Sequence, residues 1–340
     1  MRKYLVVGPS WIGDMIMANA LFRLLKSQYP DCVIDVLAPA WSHPVLARMS
    51  EVRQSIVMPV GHGVLNLKMR YLIGRELRNQ KYDQAILLPN TFKSALIPWF
   101  ARIPLRTGWR GEWRYGLIND MRILDKKRYP LMVQRYLALG ESMGSESIDF
   151  KNQSTLIPLI QVDPEARKIA VAKYFISTEK PLLILCPGAQ YGNSKRWPET
   201  YFAKVAEYFL NKNWQVGLLG GKSESELVEK INQSLTQPAI DLTKTSLSEA
   251  IDLMSLANVV VSNDSGLMHM ACALDRKIIA IYGSSSPDFT PPLSQKAVIF
   301  SKSLPCKPCF KRECPLKHLN CLKMISPEEV MQKIDEEESK

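Results

Sequence analysis

No apolar run in this chain approaches the length of a bilayer span; the longest, such as Pro181–Cys186, are strand-sized. A membrane-crossing helix is therefore not expected. The first residues, Met1-Arg2-Lys3-Tyr4-Leu5-Val6-Val7, lead straight into a strand-like run and a glycine turn, without the apolar region and cleavage site of a signal peptide. The expected location is the cytoplasm, where thiols stay reduced, so the seven cysteines are not expected to form a disulfide framework. Short-period repeats and low-complexity tracts are also missing. With 46% apolar and 23% charged residues, the composition excludes a disordered, collagen-like or coiled-coil chain. The G-x-G-x-x-G dinucleotide fingerprint is absent too, which disfavours a nicotinamide-dependent oxidoreductase.

What is present is 340 residues, more than one hydrophobic core usually organises, so two domains are expected. Charge divides the chain unevenly. Residues 1–160 hold 22 Lys+Arg against 12 Asp+Glu, a balance of +10, whereas residues 161–340 hold 22 against 21. The first half suits an anionic partner: nucleic acid, an acidic membrane surface or a phosphorylated substrate. A solvated basic surface has the same composition.

Strand-like runs at Tyr4–Val7, Val33–Leu37, Ile56–Met58 and Ala85–Leu88 alternate with helical patterns at Asp14–Gln28, Pro44–Met49, Leu65–Gln80 and Phe92–Ala101. The pattern fades between about Gly140 and Lys180, where the domain junction is expected. It restarts with strands at Leu182–Leu185, Val216–Leu219, Val259–Val261 and Ile278–Ile281. The helices between them are Pro198–Leu210, Glu224–Leu235, Ser246–Ala257 and Ser265–Ala273. Pro198 suits a first helical turn, and Ser246-x-x-Glu249 resembles a capping box. This alternation predicts two α/β domains, 1–160 and 161–340, with parallel sheets and a ligand cleft at the strand carboxyl ends.

The first strand ends in Gly8-Pro9-Ser10-Trp11-Ile12-Gly13-Asp14, which has P-loop glycine spacing. Asp14 and Met15 stand where a P-loop carries Lys and Ser/Thr, so the turn is not built to hold phosphate. Asp14 is instead a carboxylate at a helix start. It is either a general base for a substrate hydroxyl or a helix cap, and spacing does not choose between them.

The second half carries the stronger pattern. Val259–Val261 leads through Ser262-Asn263-Asp264 into a helix start at Ser265-Gly266-Leu267, followed by His269. Backbone N–H groups at such a start form an anion site, and Asp264 suits sugar hydroxyls. A capped helix with a buried His269 is the plain alternative. Leu185–Gln190, Lys195-Arg196, Gly220-Gly221-Lys222 with Glu224 or Glu226, and Thr243–Leu247 are further turns at strand ends. Converging turns of this kind suit a nucleotide-sugar site. In the basic half, ten Lys and Arg side chains lie between Lys93 and Arg135, and Arg106–Arg114 interleaves Arg with Trp. That stretch suits a phosphorylated glycan or single-stranded nucleic acid. The tail, 306–321, reads Cys306-x2-Cys309-x4-Cys314-x6-Cys321 with His318 inside; structural zinc and free thiols packed in a loop both remain open.

Taken in order, several segments resemble the ADP-heptose:lipopolysaccharide heptosyltransferases. They are Gly8–Met15, Leu37–Trp41, Leu88–Leu96, Arg106–Glu112, Cys186–Ala189, Lys195–Pro198, Asn263–His269 and Tyr282–Pro292. The chain is most similar to the members that add the second heptose.

The resemblance implies a GT-B fold, with two Rossmann-like domains whose parallel sheets face a central cleft. It implies an inverting glycosyltransferase that moves L-glycero-D-manno-heptose from ADP-heptose to the first heptose of heptosyl-Kdo2-lipid A in α1→3 linkage. Asp14 would be the base, and Lys195 would steady the leaving ADP. Donor contacts would fall on Ser10, Gly13, Gln190, Lys195, Glu224, Leu247, Asp264, Ser265, Gly266, Leu267 and His269. Lys93, Arg110 and Arg114 are the acceptor candidates. No cofactor is implied for catalysis, and peripheral contact with the inner membrane follows from the basic half. Addition of the first heptose, another nucleotide-sugar transfer and a nucleic-acid-binding module are the competing readings, the last not favoured.

Overall fold

The computed structural model describes residues 1–61, 63–141 and 157–338. The chain divides into two compact units, Met1–Gln161 and Val162–Lys340. The first unit runs β1 (Lys3–Val7), α1 (Ile12–Gln28), β2 (Val33–Ala38), α2 (His43–Leu46), β3 (Val52–Val57), α3 (Leu67–Leu77), β4 (Gln84–Leu87), α4 (Phe92–Phe100), β5 (Leu105–Trp109), β6 (Asp120–Arg122) and α5 (Met132–Gly140). Its strands are all parallel, in the order β3-β2-β1-β4-β5-β6. This is a Rossmann order, and it reverses direction between β1 and β4. A crevice opens at the strand carboxyl ends at such a point.

The second unit runs α6 (Pro164–Lys173), β7 (Leu182–Cys186), α7 (Glu199–Asn211), β8 (Gln215–Leu218), α8 (Ser225–Gln233), β9 (Ile240–Asp241), α9 (Leu247–Met254), β10 (Val259–Asn263), α10 (Gly266–Ala273), β11 (Lys277–Ile281), β12 (Ala297–Phe300), α11 (Asn320–Lys323) and α12 (Pro327–Glu338). Its parallel order, β12-β11-β10-β7-β8-β9, is the same topology with β7 as first strand. Its switch point lies between β7 and β10. The two Rossmann-like parallel-sheet units that the resemblance implied are thus both present.

Strands buried on both faces read as unbroken apolar runs, and β1, β7 and β10 are such strands. In the second unit, Phe202, Val205 and Phe209 of α7 pack on Leu183, Val216 and Val259. The tail belongs to this core: Leu322, Ile325, Val330 and Ile334 join the same cluster.

The strands missed by periodicity are the polar ones. β3 starts at Val52, four residues before the expected run, because Arg53 and Gln54 face the buried Asp35, donating to its carboxylate. β5, β6, β9 and β12 are short or lie toward sheet edges, so pairing rather than an apolar run defines them. α5 and α6 are further elements that the pattern did not announce. Of the stretch expected to join the domains, residues 142–156 lie outside the described residues, and α6 belongs to the second unit. Pro198 is the N-cap of α7 and not a first-turn residue. Ser246 forms the expected capping box: its Oγ accepts the Glu249 N–H at 3.2 Å, and Glu249 accepts the Ser246 N–H at 2.7 Å.

Helices α3 and α4 cross closely at Gly74. A Cβ there would lie 2.5 Å from Phe100 Cβ and 2.9 Å from the Ile97 carbonyl. Backbone atoms cannot yield as a flexible side chain can. Gly74→Ala is therefore expected to destabilise the chain by about 1–3 kcal/mol, measured by urea unfolding. Unchanged stability would mean that the two helices separate freely.

Candidate active site

In the second unit the loops after β7, β8, β9 and β10 share one edge of the sheet, because all these strands run parallel. Asn263, the last residue of β10, ties two of the loops together. Its Oδ1 accepts the Trp197 N–H at 3.0 Å, and its Nδ2 donates to the Pro187 carbonyl at 2.8 Å. The next residue, Asp264, is 4% exposed. Lys195 Nζ lies 2.5 Å from Asp264 Oδ2, and Ser285 Oγ donates to the same oxygen. The Lys195 side chain keeps 17% exposure, and its ammonium sits 5.0 Å from the Tyr191 ring centroid. A buried carboxylate and a partly open ammonium are thus held together at the switch point.

Ser265 follows as the N-cap of α10, with no side-chain cap on that helix. The N–H groups of the first turn belong to half-buried Ser265, Gly266 and Leu267 and are disposed for an anion. His269, one turn in, is buried, and its Nδ1 has no hydrogen-bond partner among the described residues. Desolvation pushes its pKa down to about 4; Asp264 opposes that shift, and Lys195 adds to it. The imidazole is therefore neutral at neutral pH.

The choice between Glu224 and Glu226 is resolved by burial. Glu224 is 4% exposed, accepts the Gly221 N–H and the Ser223 hydroxyl at 2.9 Å each, and lies 4.0 Å from Arg196 Nη2. A Cβ on Gly188 would fall 2.6 Å from Glu224 Cγ, so the turns after β7 and β8 pack across this side chain. Glu226 is solvent-exposed and paired with Lys230. Leu247 is half-buried at the start of α9, and Gln190 is exposed after β7.

In the first unit, Asp14 lies in the first turn of α1, beyond the carboxyl end of β1, and is half-buried. Trp11, not Asp14, is the N-cap of that helix. Tyr136 of α5 faces Asp14: burial first, then the Asp14 charge, raises its phenol well above the ordinary value. Ser10 is half-buried, Gly13 is buried, and the Ser10 carbonyl accepts the Trp41 indole N–H at 2.9 Å.

The basic cluster divides in two. Arg114, expected to meet an acceptor, is 0% exposed. Its guanidinium donates to the Pro89 carbonyl at 2.8 Å, to Asn90 Oδ1 at 3.2 Å, to Ser94 Oγ at 3.3 Å and to the Trp109 carbonyl. Burial lowers its pKa to about 10, against the pull of Glu112. Arg114 thus braces the loop after β4 and does not face solvent, which corrects its acceptor-binding assignment. Arg106, Arg122 and Arg135 are likewise spent on backbone carbonyls. Arg110 is exposed and Lys93 half-buried, so both remain accessible to a ligand. Ser285 and Tyr191 were missed as contributors. Their polar or aromatic character carries no positional signal until Asp264 and Lys195 are placed beside them.

Residues 70–320 match the family model described as glycosyltransferase family 9 (heptosyltransferase). The lipopolysaccharide heptosyltransferase 2 of Salmonella typhimurium is 48% identical over 301 residues, covering 87% of this chain and 86% of that protein. The lipooligosaccharide heptosyltransferase 2 of Haemophilus influenzae is 47% identical over 306 residues, covering 87% of each. The solved structure of E. coli ADP-heptose lps heptosyltransferase II superposes with a TM-score of 0.87 at 40% identity, covering 99% of this chain and 98% of that one.

Two stability measurements follow from this geometry. The unfolded chain takes up a proton on His269 near its ordinary pKa of 6.5, whereas the native state does so only near 4. Stability is therefore expected to fall by about 3 kcal/mol as pH drops through that window, and His269→Gln should remove that part of the fall. Equal pH slopes in both proteins would contradict the neutral buried imidazole. Arg114→Ala should lower unfolding stability by about 1–3 kcal/mol for each buried acceptor left unmet. A variant as stable as wild type, with only substrate binding impaired, would return Arg114 to the ligand.

Proposed function

The chain belongs to glycosyltransferase family 9, the heptosyltransferases, and we propose that it transfers L-glycero-D-manno-heptose from ADP-heptose to the first heptose of the lipopolysaccharide inner core. The observation that carries this reading is the near full-length likeness to two relatives named heptosyltransferase 2. The site geometry supports a mechanism for it.

In the proposed step the acceptor hydroxyl oxygen attacks the anomeric carbon of the donor as Asp14 takes the hydroxyl proton. The bond to the β-phosphate oxygen breaks, and its electron pair leaves with ADP. Attack opposite the leaving group inverts the anomeric centre. Lys195 and the N–H groups at Ser265, Gly266 and Leu267 receive the developing phosphate charge. The grip of Lys195 on Asp264 orients that ammonium before substrate arrives, so little reorganisation is needed. Asp264 also offers its carboxylate to the donor heptose, with neutral His269 behind it. Glu224 suits the ribose diol and Leu247 the adenine face. Gln190, Ser10 and Gly13 complete the proposed donor contacts, and Lys93 and Arg110 serve the anionic acceptor. The transfer step is assigned no cofactor.

Among the described residues no helix is long and apolar enough to cross a membrane. Access to a lipid-linked acceptor is proposed to come from the basic first half, lying peripherally against the anionic inner face of the inner membrane.

The test is ADP release with acceptor carrying either no heptose or one. Wild type should release ADP only with the one-heptose acceptor. Asp14→Ala should keep its unfolding midpoint and lose about 10²–10⁴-fold in kcat. Lys195→Ala should lose about 10²–10³-fold, with donor kinetics affected and acceptor binding preserved. Near-wild-type turnover by Asp14→Ala would remove it as the base. Release with the heptose-free acceptor would assign the first transfer instead.

A further inference from the structure

The transferase mechanism makes no use of the cysteine-rich tail, yet the fold gathers it. Cys306, Cys309, Cys314 and Cys321 all line one small cavity, together with Ser194 and Ser284. None is in a disulfide. Cys321 sits on α11, and each of the other three thiols acts on it electrostatically. Backbone N–H groups of Leu316, Lys317, His318 and Leu319 turn toward the Cys314 sulfur and hold its thiol below the ordinary range. Peptide donors of that kind stabilise a thiolate and tune a metal–sulfur centre.

The surrounding charge is also suitable. A divalent ion bound by four thiolates carries excess negative charge. Between Lys302 and Lys323 the tail holds six Lys and Arg residues and a single acid, Glu313. The Lys307 ammonium is itself partly buried, donating to the Tyr282 carbonyl at 2.7 Å and to Ser301 Oγ at 2.8 Å. Among the described residues no three Cys, His, Asp or Glu side chains are already gathered as a metal site. An ion must therefore draw the sulfurs inward from the cavity wall.

The position of the cluster gives such an ion a consequence. Phe310, Lys311 and Arg312 lie between the second and third cysteines and run under both loops that grip Asp264. Ser194 N–H donates to the Arg312 carbonyl at 3.1 Å, Tyr191 Oη donates to the Phe310 carbonyl at 2.6 Å, and Phe310 N–H donates to the Ser284 carbonyl at 2.9 Å. At Gly192, φ is +154°, and a Cβ would lie 2.3 Å from the Arg312 carbonyl oxygen, so strap and loop touch backbone to backbone. Lys195 and Ser285 each follow directly on these contacts.

We propose that Cys306, Cys309, Cys314 and Cys321 bind a thiophilic metal ion, zinc in the first instance, as a structural tetrathiolate that clamps the 310–312 strap against the two loops of the donor site. The metal site stands on the cysteines alone. Its effect on the donor rests on the function proposed above.

The full chain, purified without chelator, is expected to carry about one zinc per chain by elemental analysis, with iron measured in parallel. Cobalt added to metal-stripped protein should give the visible absorption of a tetrahedral thiolate complex. Cys306→Ser and Cys309→Ser, at partly exposed positions, should abolish both signals. If those variants fail to fold, stripping and reloading the wild-type chain supplies the same readouts. Metal removal should raise KM for ADP-heptose several-fold, and zinc should restore it. A wild-type chain that binds none of these ions overturns the site, as does retention of metal by both serine variants. One tightly bound iron in place of zinc keeps the tetrathiolate and corrects the ion. Metal bound with KM unchanged on its removal overturns the clamp. Metal bound without any ADP-heptose turnover leaves the site standing and strikes the proposed function instead.

Discussion

A carboxylate at the depth of Asp264 costs several kcal/mol unless its charge is matched and its oxygens are hydrogen-bonded. Lys195 and Ser285 meet that demand, and they come from two different loops. The buried charge therefore dictates where both loops must lie. Asn263, one residue earlier, fixes the backbone at Trp197 and Pro187, so the loop carrying Lys195 is held on both sides. The uncapped start of α10 sits directly beyond. Cationic and backbone donors thus face the same edge of the sheet, with neutral His269 behind them, and that is the disposition a departing diphosphate needs.

The first unit solves a different problem. Its excess of Arg is not one surface. Arg114, Arg106, Arg122 and Arg135 reach inward to carbonyls that loops would otherwise leave unmet. Buried backbone acceptors need partners, and a long side chain with several N–H groups serves several of them at once. The arginines left at the surface, Arg110 among them, keep the electrostatic pull on an anionic acceptor. A basic composition can accordingly overstate the extent of a binding face.

Much of the architecture is legible in one dimension because strands buried on both faces must be apolar throughout. Helix caps such as Ser246 and Glu249 are likewise local chemistry. β5, β6 and β12 are not, since an edge or polar strand is defined by its neighbour. The Asp264 loop was found through its helix start, a local feature. Ser285 and Tyr191 were not, because nothing near them in sequence records that they meet Asp264 and Lys195.

By itself the sequence determined the two alternating α/β halves, the carboxylate after the first strand, the Asp264 turn and the order of motifs that places the chain among heptosyltransferases. These depend on short-range spacing, which a chain carries in its residue order. Only the tertiary structure decided that Arg114 is a brace, that Glu224 rather than Glu226 is the buried acid, and that four separated cysteines share one cavity beneath the donor loops. Burial and pairing across tens of residues decide those questions, because the cost of an unmet charge or donor depends on what the fold brings beside it.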